Sequence, residues 1–323
     1  MSLVNRLGTQ FDAALAAGHL VFTPSTCVRV HCDGIDVGAF IRHAPSLALK
    51  PQRPQHQNKQ RKPFNPFLPP DVNLTVDELL LGTHALLLNK FAVVRAHALV
   101  VTKAWASQSS FLDAKDWAAA WAVIGQTDTQ FLGFFNCGPL SGASVPHKHM
   151  QFIPVHQGAE DDVIPIENLL ESHKKNVKIG SLAETAVDAL PFFHRACFIP
   201  ESVSDFGEIE AAYLGLVKSA FQAIGIDTDA SINNDPDALV AVNAGTYSGS
   251  KEELSYNLIF TKSWMIVIPR RAETFNGLSV NSVGFAGMLL TKSAEQLEGL
   301  QSPGALSTVL AGVAYPKGHM MRL

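Results

Sequence analysis

Apolar positions along the chain follow two periods, and the switches between them mark the elements. The opening run MSLVNRLGTQFDAALAAG repeats its apolar residues at helical spacing, so it predicts an amphipathic helix stopped at Gly18. Val28 and Val30, then Ile35 to Ile41, alternate instead and predict two strands around an Asp33-Gly34 turn. HALLLNKFAVV and HALVVTKAW are continuous apolar runs, read as buried neighbouring strands. Asp113 then caps a helix that places Trp117, Trp121 and Ile124 on one face, and QFLGFFN returns to strand.

The second half has a similar grammar. A helix from about Phe206 carries Ile209, Tyr213, Leu216, Ala220 and Ile224 on one stripe. Leu239 to Val242 reads as a short strand, and AGTYSGSKEE follows it as a turn-rich stretch. SYNLIFTKSWMIVIPRR reads as a hairpin around Lys262-Ser263, and GALSTVLAGVAYP as a short helix. LLLNKFAVVRAHALVVTK and LSYNLIFTKSWMIVIPRR both run from an Asn-containing strand to an apolar strand ending in basic residues, which suggests a diverged internal duplication. Strands interleaved with helices, mostly between antiparallel neighbours, make the class α+β.

The pattern breaks from Pro45 to Asp71, where KPQRPQHQNKQRKPFNPFLPPD is rich in Pro, Gln and cations. Lys50, Arg53, Lys59, Arg61 and Lys62 make this the most basic part of the chain. It reads either as a solvated linker or as a basic loop that closes over phosphates.

Composition narrows the classes. With 323 residues, 47% of them hydrophobic, the chain can bury a large core. A net charge of -4 argues against a general nucleic-acid binder but leaves small anionic substrates open. Cys27, Cys32, Cys137 and Cys197 are scattered without a C-x-x-C pair, which fits a reducing compartment better than a disulfide framework or zinc ribbon. No apolar run approaches bilayer length and no signal-peptide pattern opens the chain. The expectation is a soluble, cytoplasmic protein, with the nucleus left open, no membrane or nucleic-acid partner, and a monomer favoured.

The chemistry concentrates in NCGPLSGASVPHKHMQFIP, Asn136 to Pro154. As a strand from Val145 to Pro154, it puts His147, His149 and Gln151 on one face at roughly 7 Å intervals, with Lys148, Met150 and Phe152 on the other. Upstream, Gly138, Gly142, Ala143 and Ser144 are small enough for backbone amides to approach an anion. Three readings compete: incidental histidines, a zinc site that lacks obvious third and fourth ligands, and nucleophilic catalysis at phosphorus. The last is favoured. A neutral imidazole held in one tautomer can attack an α-phosphate, and a neutral amide can bind the phosphoryl group without adding negative charge.

These residues resemble the histidine-triad superfamily, in its H-x-H-x-Q branch, which holds galactose-1-phosphate uridylyltransferase and the diadenosine tetraphosphate phosphorylases. ALKP near Lys50, NPFLPP, LLNKFAVVRAHALVVT, FFNCGPLSGASVPHKHMQ, YNLIFTKSWMIVIPR and NSVGFAGMLL look like the phosphorylase family in particular, across nearly the whole chain. The resemblance implies two histidine-triad-like halves, placed at residues 1–160 and 161–323 of one compact unit. It also implies phosphate-dependent cleavage of diadenosine tetraphosphate to ATP and ADP through an adenylylated histidine. Carried over, His149 is the nucleophile, His147 steadies it by hydrogen bonding, and Gln151 contacts the phosphoryl group. Asn136, Gly142, Ala143, Ser144, Lys50 and Asn89 are the nucleotide- and phosphate-binding candidates. No protein-bound metal or other cofactor is implied, and a metal ion would enter only with the nucleotide. The ligands implied are diadenosine tetraphosphate, ATP, ADP, AMP and phosphate. Alternatives are a hexose-1-phosphate uridylyltransferase, whose common C-x-x-C zinc site is missing here, a dinucleoside polyphosphate hydrolase, and a non-catalytic dinucleotide sensor.

Overall fold

The computed structural model of the chain describes residues 2–32, 35–49, 65–79, 82–125, 129–155, 163–176, 182–226, 228 and 254–318. The Asp33-Gly34 turn, the 239–242 strand and the turn-rich stretch after it lie outside these residues. Eight strands form the main sheet. In chain order they are β1 Thr75–Leu79, β2 His84–Leu88, β3 Ala98–Thr102, β4 Gln130–Cys137, β5 His149–Val155, β6 Arg195–Phe198, β7 Tyr256–Phe260 and β8 Trp264–Pro269. Their spatial order is β6-β8-β7-β4-β5-β3-β2-β1, with every neighbour antiparallel.

One face carries helices α1 (Leu3–Ala16), α2 (Ala114–Ile124) and α3 (Phe206–Ala223), each started by an N-cap side chain (Ser2, Asp113, Asp205). At α2 the cap is reciprocal, because Asp116 reaches back to the Asp113 amide at 2.9 Å. Trp117, Tyr213, Met150, Phe152 and Phe260 fill the layer between helices and sheet. Trp121 is only partly buried against this core. The expected helical stripe of α3 is buried as the pattern required.

The opposite face is covered on one side by a second core. There Leu132, Phe134, Ile259 and Ile266 meet a three-stranded sheet and the helices Ala294–Gln301 and Ala305–Val313. In that small sheet, Met288–Thr291 pairs parallel with Ile35–His43, which pairs antiparallel with Thr26–Cys32. On the other side lies a smaller cluster of Phe67, Ala85, Leu87, Leu99 and Val101. The candidate site lies between these two clusters.

The internal repeat is visible, in a different register from the sequence comparison. β3-α2-β4-β5 and β6-α3-β7-β8 each lay down the same strand order with a helix after the first strand, and they meet where β4 pairs with β7. The two hairpins matched by sequence look alike because any pair of buried antiparallel strands shares that apolar grammar. β8 takes the place of β5, and on the corresponding face it carries Trp264, Ile266 and Ile268 instead of imidazoles.

Candidate active site

β5 starts at His149, four residues later than the alternation suggested. The backbone of 146–148 is held by an edge of loop instead, through Gln108 N–H to Pro146 O at 2.8 Å and Lys148 N–H to Ala106 O at 2.8 Å. His147 therefore precedes the strand, bridged to Ser107, but still packs beside His149 because the Phe67 ring touches both imidazoles. Lys148 points to the helical face as expected. Its ammonium donates to Asp116 Oδ2 at 2.9 Å and Phe111 O at 2.6 Å, and Asp116 Oδ1 bonds His84 at 2.8 Å.

The hydrogen bonds assign the tautomers. His149 Nδ1 lies 2.8 Å from the carbonyl oxygen of His147, and a carbonyl can only accept. The proton is therefore on Nδ1, and the lone pair is on Nε2. Burial pushes the His149 pKa down to about 4, so the ring is neutral near pH 7. His147 has the opposite tautomer. Its Nδ1 accepts from Asn65 Nδ2 at 2.8 Å, and its Nε2–H donates to Thr102 O at 2.8 Å. Burial lowers its pKa too. Trp105 stands edge-on to this ring.

Where β4 and β5 would complete their ladder, Gln108 replaces it. Its Oε1 accepts from His149 N at 2.8 Å, and its Nε2 donates to Asn136 O at 2.8 Å and His149 O at 3.2 Å. The β4–β5 register pairs Phe134 with Gln151. Two residues further on, Asn136 stands opposite His149 on the same face, and β7 places Asn257 opposite Asn136. A polar row thus runs across three strands: His149, Asn136, Asn257.

Asn136 Oδ1 is crowded with donors, from Asn257 Nδ2 at 2.8 Å, Ser282 N at 3.0 Å and the Ser282 hydroxyl at 2.7 Å. The backbone donor fixes the amide orientation. Asn136 Nδ2 is then left buried without a partner among the described residues, a spare pair of N–H groups on the strand beside His149. Next in the chain, Gly138 and Gly142 take φ of +80° and +82°, and Gly142 to Ser144 lead out toward solvent. Gly138 is required for a second reason, since a Cβ there would sit 2.2 Å from Leu254 O.

Gln151 is half-buried on the same face as His149. Asn89 is second to it, contacting another histidine: its Oδ1 accepts from Phe91 N at 3.0 Å, so its Nδ2 faces His97 Nδ1 at 3.2 Å. Burial lowers the His97 pKa to about 4, with the Gln151 side chain acting in the opposite direction. Among the described residues, His97 Nε2 has no partner within hydrogen-bond distance and angle. Lys50 lies outside the described residues, together with the cations of 53–62. Among the described residues, no three His, Cys, Asp or Glu side chains converge as metal ligands, and no helix is long and apolar enough to cross a membrane.

Sequence reasoning missed Gln108, Asn65, Thr102 and Phe67 as parts of the site. Asn65 and Phe67 were visible only as a resemblance in NPFLPP, and Gln108 sits in a polar loop with no local signal.

Residues 1–172 match the Ap4A phosphorylase N-terminal domain family, and residues 188–316 match the ATP adenylyltransferase C-terminal domain family. Diadenosine 5',5'''-P1,P4-tetraphosphate phosphorylase 2 of Saccharomyces cerevisiae is 31% identical over 334 residues, covering 98% of this chain and 95% of that protein. The crystal structure of yeast Ap4A phosphorylase Apa2 superposes with a TM-score of 0.76 at 28% identity, covering 97% of both chains. The same yeast protein in complex with Ap4A gives a TM-score of 0.73 at 27% identity, covering 98% of this chain and 99% of that one.

Proposed function

Since this chain belongs to the Ap4A phosphorylase family, we propose that it cleaves diadenosine tetraphosphate with phosphate, giving ATP and ADP through an adenylylated His149. The observation that carries this reading is the tautomer of His149, neutral and with its Nε2 lone pair free. Nε2 attacks the α-phosphorus, the P–O bond to the leaving triphosphate breaks, and ATP departs. The ring then carries a P–N bond and a positive charge, and its Nδ1–H still donates to the His147 carbonyl, which stabilises that charge. A phosphate oxygen attacks the same phosphorus, the P–N bond breaks, ADP leaves and neutral His149 returns.

Each neighbour has a part in this reading. His147, locked between Asn65 and Thr102, holds its own carbonyl where His149 needs an acceptor. Asn136 Nδ2 and the amides of Gly142, Ala143 and Ser144 supply donors to the phosphoryl oxygens, and Gln151 contacts the transferring group. Asn89 acts through His97, and Lys50 supplies a cation to the polyphosphate. The chemistry needs no metal held by the protein, and any metal ion would arrive on the nucleotide.

The test is product analysis with purified, metal-stripped protein and diadenosine tetraphosphate, with and without phosphate. ATP and ADP formed only with phosphate are expected. ATP and AMP formed regardless of phosphate would make it a hydrolase. Tight binding without cleavage would make it a sensor, and no binding would direct the search to nucleotide sugars.

A further inference from the structure

Arg270, directly after β8, is 3% exposed. A charge so deeply buried normally has a carboxylate partner. Among the described residues, every hydrogen bond of the guanidinium goes to a neutral oxygen. Nη1 donates to Asn257 Oδ1, to Val280 O at 2.8 Å and to Ser141 O at 3.4 Å. Nη2 donates to Ala272 O at 2.7 Å and Glu273 O at 3.3 Å, and Nε to Val313 O at 3.2 Å. The Glu273 carboxylate acts on it only from a distance, and burial pulls its pKa down to about 9.

Those neutral oxygens lead to the site. Asn257, oriented by Arg270, donates to Asn136 Oδ1 at 2.8 Å and to Ser141 O at 2.9 Å. Ser141 belongs to the small-residue loop, and its hydroxyl closes that loop onto Gly138 O at 2.6 Å. Gly142 rests against Val280 and Asn281, whose neighbour Ser282 bonds Asn136, and Val280 O is itself held by Arg270. The guanidinium thus stands one layer behind the anion cradle and grips it from both sides.

We propose that Arg270 is a positioning residue for adenylyl transfer. It clamps Ser141 and Asn257 so that Asn136 and loop 138–144 present their donors, and its missing counter-charge is the polyphosphate of the bound substrate. This rests on the reading of the site as a nucleotidyl-transfer centre, but binding tests it without turnover. A fixed cation behind neutral dipoles favours ligands in order of their negative charge.

The experiment compares wild type, Arg270→Met, Arg270→Lys and Asn257→Ser for binding of adenosine, AMP and ATP by calorimetry, and for kcat and KM with diadenosine tetraphosphate. For Arg270→Met we expect adenosine affinity within about 3-fold of wild type, with AMP about 10-fold and ATP about 100-fold weaker. Arg270→Lys keeps the charge, so the dependence on ligand charge returns, but kcat stays about 10-fold low because one ammonium cannot span Asn257, Val280 and Ser141. Asn257→Ser lowers kcat about 10-fold with little change in KM for the dinucleotide. Equal losses for adenosine, AMP and ATP in Arg270→Met would reduce Arg270 to packing and overturn the proposal. If that variant does not fold, wild-type kcat in Asn257→Ser overturns it. A wild-type protein that binds nucleotides in the expected charge order and turns nothing over, with that order lost in Arg270→Met, would sink the proposed reaction and leave standing only the part of the inference that pairs Arg270 with the bound polyphosphate.

Discussion

The Nδ1–H of His149 donates to the carbonyl oxygen of His147 at 2.8 Å, so one catalytic candidate sets the tautomer of the other through its backbone. The side chain of His147 is itself gripped by Asn65 and Thr102, which fixes the residue whose carbonyl His149 meets. This division of labour makes the two imidazoles unequal in mutagenesis.

His149→Ala should lower kcat about 10⁴-fold or more while leaving AMP affinity within a few fold. Intact-mass measurement of wild type with diadenosine tetraphosphate, in the absence of phosphate, should show one added AMP. The variant should show none. An AMP adduct persisting in His149→Ala would place the nucleophile elsewhere.

Stability should fall on mild acidification. His149 and His194 are both 4% exposed, and burial lowers both from an ordinary 6.5 to about 4. Between those values the unfolded chain binds protons that the folded chain does not, so stability decreases as pH falls from 6.5 toward 4. Each histidine contributes a slope of about 1.4 kcal/mol per pH unit in that window and almost none above it. Urea midpoints at pH 7.5, 6.0 and 5.0 measure this, and His149→Ala should remove about one proton from the slope. The same depressed value predicts kcat/KM without a histidine-like fall near pH 6.5.

Gln108→Ala should strand His149 N–H and the Asn136 carbonyl, which are buried and have been withdrawn from the ladder. Each unsatisfied group costs about 1–3 kcal/mol, and the nucleophile loses its backbone anchor. We expect a lower urea midpoint together with lower kcat. Normal stability with normal turnover would show that water or strand closure replaces the amide.

Lys148 and Asp116 are a buried pair with side chains 9% and 3% exposed. Lys148→Met leaves the Asp116 carboxylate with His84 and the Asp113 amide but without its ammonium partner, and should cost about 3–5 kcal/mol. Replacing both, Lys148→Met with Asp116→Leu, should cost less than that single change. Thermal unfolding of the two variants checks the order, and a double variant less stable than Lys148→Met would contradict it.

Much of the fold was legible from local pattern. Helical spacing located α1, α2 and α3, and the apolar runs located β2, β3, β7 and β8, because those periods follow from burying one face of each element. The duplication was legible in kind but not in register. A buried hairpin has the same signature wherever it occurs, whereas the helix placed after β3 and after β6 identifies the matching units. The strand containing the motif was predicted four residues too long at its start. Alternation of side chains continues into Val145 to Lys148, but the backbone partners there come from loop 105–108, which pattern does not reveal.

By itself the sequence determined the chemistry available: HKHMQ running into a strand, with His149 and Gln151 facing one way and Lys148 and Met150 the other, behind a loop of small residues. Those are consequences of covalent order and a two-residue period. Tertiary structure decided which groups those imidazoles meet. The row that matters runs across strands, His149 to Asn136 to Asn257, and not along one. Gln108 replaces a missing ladder rung, and Arg270 grips the cradle from behind. Cross-strand register joins residues more than a hundred positions apart, and no local period encodes it. Only packing both faces of the sheet selects it.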